Sequence, residues 1–175
     1  MEQHDEDSHC SSPQPSQLPL FANDNNDVLL DPVIFRQAAK HLRFMPTIDL
    51  FANHDHHQCR RYFSPIADPK AAGVDAFAHP WTREWRPYAN PPWPLIARVL
   101  QNVVAERITI MMVIPDWPCA PWYDLWQQLC TRSVLFTDAV FLDDRGRLRS
   151  KPRWNTRIGL IDGNRAPAAW TRNRA

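Results

Sequence analysis

The run Ile108-Thr109-Ile110-Met111-Met112-Val113-Ile114-Pro115 constrains the fold of this chain more than any other stretch. It is apolar except for Thr109 and shows no alternation of apolar and polar residues, so a strand made from it has both faces covered, as inside a parallel sheet. Just upstream, Leu95, Ile96, Val99, Leu100, Val103 and Val104 recur at i, i+1, i+4, i+5, i+8 and i+9, which predicts a helix with one apolar stripe. A striped helix feeding a doubly covered strand is the repeating unit of an α/β fold. The run is far short of the ~20 apolar residues that span a bilayer, so no membrane partner is expected.

The rest of the sequence extends that unit. Asp31-Pro32 is an N-cap followed by proline at the first helical position, and the spacing after it predicts a helix over 32–44. Short strands are expected at 47–52, 60–64 and 73–77, with 87–89 leading into a proline pair. A further helix is expected at 121–129 and strands at 134–142 and 157–161. Strand, helix, strand, helix and two closing strands describe a three-layer α/β domain, mostly parallel, with an antiparallel C-terminal hairpin. With 175 residues, 44% of them hydrophobic, there is room for one such core, placed at 28–165. Residues 1–27 carry only acidic charge and read as a disordered acidic tail, and 166–175 as a flexible basic tail. The apolar patch at 18–22 fits either an incidental sticky spot or a docking motif.

Only four glycines occur, Gly73, Gly146, Gly159 and Gly163, too far apart for a G-x-G-x-x-G dinucleotide loop or a phosphate-binding P-loop. Cys10, Cys59, Cys119 and Cys130 form no C-x-x-C pair, and the acidic N-terminus lacks a signal-peptide pattern. The expectation is an intracellular protein, cytoplasmic or nuclear and not secreted, with reduced thiols. Net charge is only +1, but from Asp143 onward nine basic residues face three acidic ones, so a polyanion would prefer that end.

Asn90-Pro91-Pro92-Trp93 is the sharpest chemical signal. Two prolines fix the backbone and remove N–H donors, leaving carbonyl oxygens and the Asn90 amide oxygen as acceptors, with an indole just beyond. That set suits an exposed amino group on a flat base; a rigid turn whose indole fills the core is the other reading. Arg145, Arg147, Arg149, Lys151 and Arg153 alternate at period two, which on an extended segment makes a phosphate-tracking ribbon with Trp154 nearby, or simply a solvated hairpin tip. Trp81, Trp85, Trp117, Trp122 and Trp126 are expected in the core or a pocket wall. His54-Asp55-His56-His57-Gln58-Cys59 meets no recognised zinc spacing and reads as a polar loop over the pocket, so no metal is assigned. Asp49, Asp75 and Asp116 at strand ends are the alternative, a ribonuclease H-like metal-dependent nuclease site.

The proline motif resembles the [DN]-P-P-[YFW] signature of amino-directed DNA methyltransferases. With Ile48-Asp49-Leu50-Phe51-Ala52, Cys59-Arg60-Arg61-Tyr62-Phe63-Ser64, Val74-Asp75-Ala76-Phe77, Trp81, Leu95-Ile96-Ala97-Arg98-Val99-Leu100 and Pro115-Asp116-Trp117-Pro118, residues 31–129 resemble the phage-type Dam-like adenine methyltransferases. The likeness is greatest to the version carried by DIRS-type tyrosine-recombinase retroelements. It implies a Rossmann-like methyltransferase fold, S-adenosylmethionine as cofactor, and DNA, with other mobile-element proteins, as partners. By the same resemblance Asp49, Phe51, Ala52 and Asp75 bind the cofactor, and Asn90, Pro91, Pro92 and Trp93 are catalytic. Here Phe51 is followed by Ala52-Asn53-His54-Asp55, where the common D-x-F-x-G-x-G loop has glycines, so side chains and a tight Phe51-Ala52 turn must hold the cofactor. A non-catalytic nucleic-acid-binding module on the same fold is the remaining alternative.

Overall fold

The structure is a computed structural model that describes residues 29–171. The acidic segment 1–27, with its apolar patch and Cys10, and residues 172–175 of the basic tail lie outside the described residues.

The chain enters through strand β1 (Leu29–Leu30) and helix α1 (Pro32–Leu42). The Asp31 carboxylate accepts the Val33 N–H at 2.8 Å, capping α1, and Phe35, Ala38, Ala39 and Leu42 form its buried stripe. The helix stops two residues before the expected 44, because Arg43 turns left-handed (φ 54°) and returns its N–H to the last turn. Then come β2 (Ile48–Asp49), β3 (Arg61–Ser64), β4 (Gly73–Val74) and β5 (Pro87–Ala89), followed by α2 (Ile96–Glu106) and β6 (Thr109–Pro115). The chain closes with α3 (Tyr123–Leu129), β7 (Cys130–Phe136), β8 (Phe141–Leu142), β9 (Thr156–Asp162) and the short helix α4 (Ala168–Thr171), within the stretch expected as a tail.

Seven strands form one mixed sheet in the order β4-β3-β2-β5-β6-β9-β7. Each neighbouring pair from β4 to β6 is parallel, and β9 runs antiparallel to both β6 and β7. The α/β class and the mostly parallel sheet are therefore as expected. Along β6, Ile110, Met112 and Ile114 join the core under α2 and α3, while Met111 and Val113 join the core under α1. Helices thus cover both faces here, which is why the run shows no alternation.

Three expected strands come out differently. Segment 47–52 shortens to β2 because the Asp49 carboxylate accepts the Phe51 N–H at 3.2 Å, drawing the chain out of the ladder. Segment 73–77 ends at Val74 because Asp75, at φ 54°, caps a 3₁₀ turn over Ala76–Ala78. Segment 134–142 splits at the exposed Thr137-Asp138. Its first half extends β7, and β8 leaves the main sheet to pair antiparallel with β1. The β7 and β9 pair is antiparallel, but the chain between them detours through β8 and the charged segment 143–153 instead of closing a simple hairpin. Cys59 and Cys130 are free thiols. No helix among the described residues is long and apolar enough to cross a membrane.

Candidate functional site

From β2 the chain builds the sheet outward in one direction through β3 and β4, then returns to β5 beside β2 and builds the other way through β6. The carboxyl ends of β2 and β5 therefore part at a topological switch point, the place where open α/β sheets bind ligands. A partly open cleft with a cavity of about 20 Å³ lies there. Leu29, Leu30, Asp49, Phe51, Ala52, Asn53, His56, Gln58, Tyr88 and Asn90 line it. Two stretches 40 residues apart in sequence, at 49–52 and at Asn90, thus share one wall.

Asp49 is the organising residue of the β2 end. Its side chain is 3% exposed, and its two oxygens accept the N–H groups of Phe51 (3.2 Å) and Gln58 (3.0 Å), closing the loop that bears the histidines. Burial pushes its carboxyl up to about 6, against the pull of those two hydrogen bonds and of nearby His57. Gln58 in turn donates its amide to the Leu30 carbonyl, tying β1 to the cleft. The loop is folded on itself: the Asn53 amide oxygen accepts the N–H groups of Asp55 and His56, and His57 stacks on Tyr62 with ring centroids 4.5 Å apart. Among the described residues no group of three His, Cys, Asp or Glu side chains is placed to hold a metal ion.

At the end of β5, Asn90 is half-buried and Pro91 buried. Neither the Asn90 amide nor the Pro91 carbonyl has a hydrogen-bond partner among the described residues, so both acceptors are free. The motif runs through a 3₁₀ turn (Trp93–Leu95) straight into α2, whose stripe anchors it in the core. Trp93 meets Trp117 and Trp154 edge to face, with centroids 5.1 and 4.8 Å away, and those two meet at 5.4 Å. Three half-buried indoles from three separate segments thus gather around Trp93, three residues after Asn90.

Asp116 holds two of those loops. Its N–H donates to the Asn155 carbonyl at 2.8 Å, and its carboxylate accepts from Arg157 Nε (2.8 Å) and the Tyr123 hydroxyl (2.6 Å). Those bonds outweigh its burial and keep its carboxyl below the usual range. Asp49, Asp75 and Asp116 are thus each engaged separately, and the three carboxylates of the nuclease alternative do not gather.

Asp75 does not line the cleft. It is exposed and its carboxylate accepts the Phe77 N–H at 3.0 Å, but the turn it caps presses Phe77 edge-on to Phe51 at 5.5 Å. Segment 143–153 is a tight turn at Asp143–Gly146 followed by a single bridge from Leu148 to Leu142, not an extended ribbon. Arg145, Arg147, Lys151 and Arg153 are exposed and Arg149 half-buried, and Arg147 pairs with Asp143 at 3.0 Å. Of the indoles expected inside, Trp81 and Trp126 are buried; Trp85, Trp117 and Trp122 are half-buried.

Sequence reasoning missed Tyr88 and β1 as cleft residues, whereas Gln58 and His56 belong to the loop that the sequence places over the pocket. Tyr88 was legible: two residues before Asn90 on a strand, it shares that residue's face. β1 had no local signal, because tertiary hydrogen bonds place it. No protein-family model matches the chain, and no curated protein matches it.

Proposed function

We propose that this chain is a Dam-like, S-adenosylmethionine-dependent adenine amino-methyltransferase domain on a Rossmann-like fold, of the kind carried by phage and DIRS-type retroelements, with DNA as its substrate. The observation that carries the reading is the switch-point cleft. It joins Asp49, Phe51 and Ala52, where the resemblance puts the cofactor, to Asn90, where it puts the target amine. The sheet order supports it: the fold implied by the resemblance holds its cofactor after the first strand, delivers the proline loop after the fourth, and inserts a late antiparallel strand. Here β2, β5 and β9 occupy those places.

Asp49, Phe51, Ala52 and Tyr88 would hold the cofactor, and the unpartnered Tyr88 hydroxyl and Asn90 amide suit a ligand with hydrogen-bonding atoms. S-adenosylmethionine supplies, when bound, a methyl group on a positively charged sulfur. The protein positions and polarises the amine. The Asn90 amide oxygen and the Pro91 carbonyl accept its two N–H groups, turn its lone pair away from the base, and stabilise the positive charge that grows on nitrogen. Pro91 and Pro92 keep those acceptors fixed, and Trp93, braced by Trp117 and Trp154, offers the base a stacking surface. Arg145, Arg149, Lys151 and Arg153 supply positive charge for the DNA backbone on the segment that leads into Trp154.

Asn90→Ala is expected to lower methyl transfer to DNA by roughly a hundredfold or more. Its thermal stability should not fall, since the Asn90 amide supports no bond among the described residues. Calorimetric titration with S-adenosylmethionine, followed by transfer assays on single- and double-stranded DNA, tests the reading. Wild-type protein that binds no S-adenosylmethionine, or an Asn90→Ala variant with full activity, would overturn it.

A further inference from the structure

Among the described residues, three buried side-chain polar atoms lack a hydrogen-bond partner: the Thr82 hydroxyl, the Trp126 indole nitrogen and the Tyr88 hydroxyl. Of these residues only Tyr88 lines the switch-point cleft. It is 1% exposed, and its ring is held by the edge of Phe35 at 5.0 Å and 85°. In the β2 and β5 ladder it stands directly opposite Asp49, so the two side chains leave the sheet on the same face.

The groups around the hydroxyl are engaged elsewhere or inert. The Asp49 oxygens accept from Phe51 and Gln58, the Gln58 amide is spent on the Leu30 carbonyl, and burial pushes the Cys59 thiol up to about 12. Burial and the Asp49 charge keep the phenol protonated far above its ordinary range. A buried hydroxyl without a partner costs free energy that phenylalanine in the same space would not. The unmet hydroxyl belongs to a residue that lines the switch-point cleft, where a ligand group that reached it would satisfy it.

We propose that the Tyr88 hydroxyl is a ligand-binding group: together with the Asp49 carboxylate beside it, it receives a hydrogen-bond-donating amino or hydroxyl group of the molecule that occupies the cleft. A donor satisfies the tyrosine lone pairs and the carboxylate together, whereas a carboxylate or phosphate placed there would meet the Asp49 charge. The inference rests on the methyltransferase reading, under which the molecule is S-adenosylmethionine, with a methionine amino group and ribose hydroxyls of that chemistry.

The test is Tyr88→Phe in the full chain, which removes one oxygen and nothing else. Binding is measured by calorimetry with S-adenosylmethionine and with 5′-methylthioadenosine, which keeps the ribose but lacks the amino-acid end; melting is measured without ligand. The expected result is a melting temperature equal to or above that of the wild type, with S-adenosylmethionine binding weakened about tenfold. Weakening for S-adenosylmethionine alone assigns Tyr88 to the amino group; weakening for both compounds assigns it to the ribose. Unchanged affinity for both compounds overturns the inference, above all if the variant also melts lower, because Tyr88 then serves the fold. Wild-type protein that binds neither compound overturns the methyltransferase reading and this inference with it, an outcome distinct from wild-type binding that Tyr88→Phe leaves intact.

Discussion

The two halves of the sheet are held together by different physics. From α2 onward, β6, β7 and β9 are seven residues long; β6 and β9 pair without a break and bury residues in the cores on both faces, and β7 joins β9 as a half-exposed edge with one register shift at Cys130–Arg132. From β2 to β5 the strands are two to four residues long, and no α-helix connects them. That second half is shaped by polar side chains bonding nearby backbone: Asp49 on Phe51 and Gln58, Asn53 on Asp55 and His56, Asp68 on Lys70, and Asp75 on Phe77. Buried Trp81, its indole donating to the Ala76 carbonyl at 2.8 Å, is one of its few deep apolar anchors. The cleft belongs to that second half: its lining comes from β1, from β2 and the loop after it, and from β5 with Asn90 at its end, just before the chain turns into α2.

Three substitutions probe that division. The largest effect is expected in the packed half. A Cβ at Gly163 would fall 2.0 Å from the Val103 carbonyl oxygen on α2, backbone that the apolar core holds in place. Gly163→Ala should lose about 3 kcal/mol in urea unfolding, since overpacking a fixed contact costs that order. A negligible loss would mean that this half yields as easily as the loops.

Next is Asp49→Ala, which strands the Phe51 and Gln58 N–H groups and should cost about 2 kcal/mol. Here pH sharpens the test. Burial raises the folded-state carboxyl from 3.8 to about 6, so the folded protein binds the proton more tightly than the unfolded chain. The stability contributed by that proton is fully present below 3.8 and is lost as pH rises through about 6. Wild-type melts taken across this window should show the decline, and Asp49→Ala should lack it. The same slope in both proteins would assign the effect to another group.

The smallest effect is expected at Asp31→Ala. It removes a carboxylate cap of the same kind, but on a helix already held by Phe35, Ala38 and Leu42. A loss of about 1 kcal/mol, read as a modest drop in Tm, would show that carboxylate caps trim the packed half and build the other.

The elements recovered best from sequence are those whose own residues bury a continuous face. The α2 stripe and the β6 run are seen where they were expected, within about a residue, because apolar periodicity is enough to decide them. The short strands were legible in place but not in length, since Asp49 and Asp75 end β2 and β4 through hydrogen bonds that the apolar pattern ignores. Of the candidate residues, Asp49, Phe51, Ala52 and Asn90 line one cleft, whereas Asp75 is spent on a cap and segment 143–153 is a turn.

The amino-acid sequence by itself determined the α/β class, the doubly covered central strand and the fixed acceptors of Asn90-Pro91-Pro92-Trp93, because periodicity and proline stiffness act over a few neighbouring residues. Only the tertiary structure decided that β9 enters between β6 and β7, that β8 defects to β1, and that Tyr88 keeps an unmatched hydroxyl beside Asp49. Strand order and the satisfaction of buried polar groups depend on partners distant in sequence, and their free energy is settled only when the whole sheet is assembled.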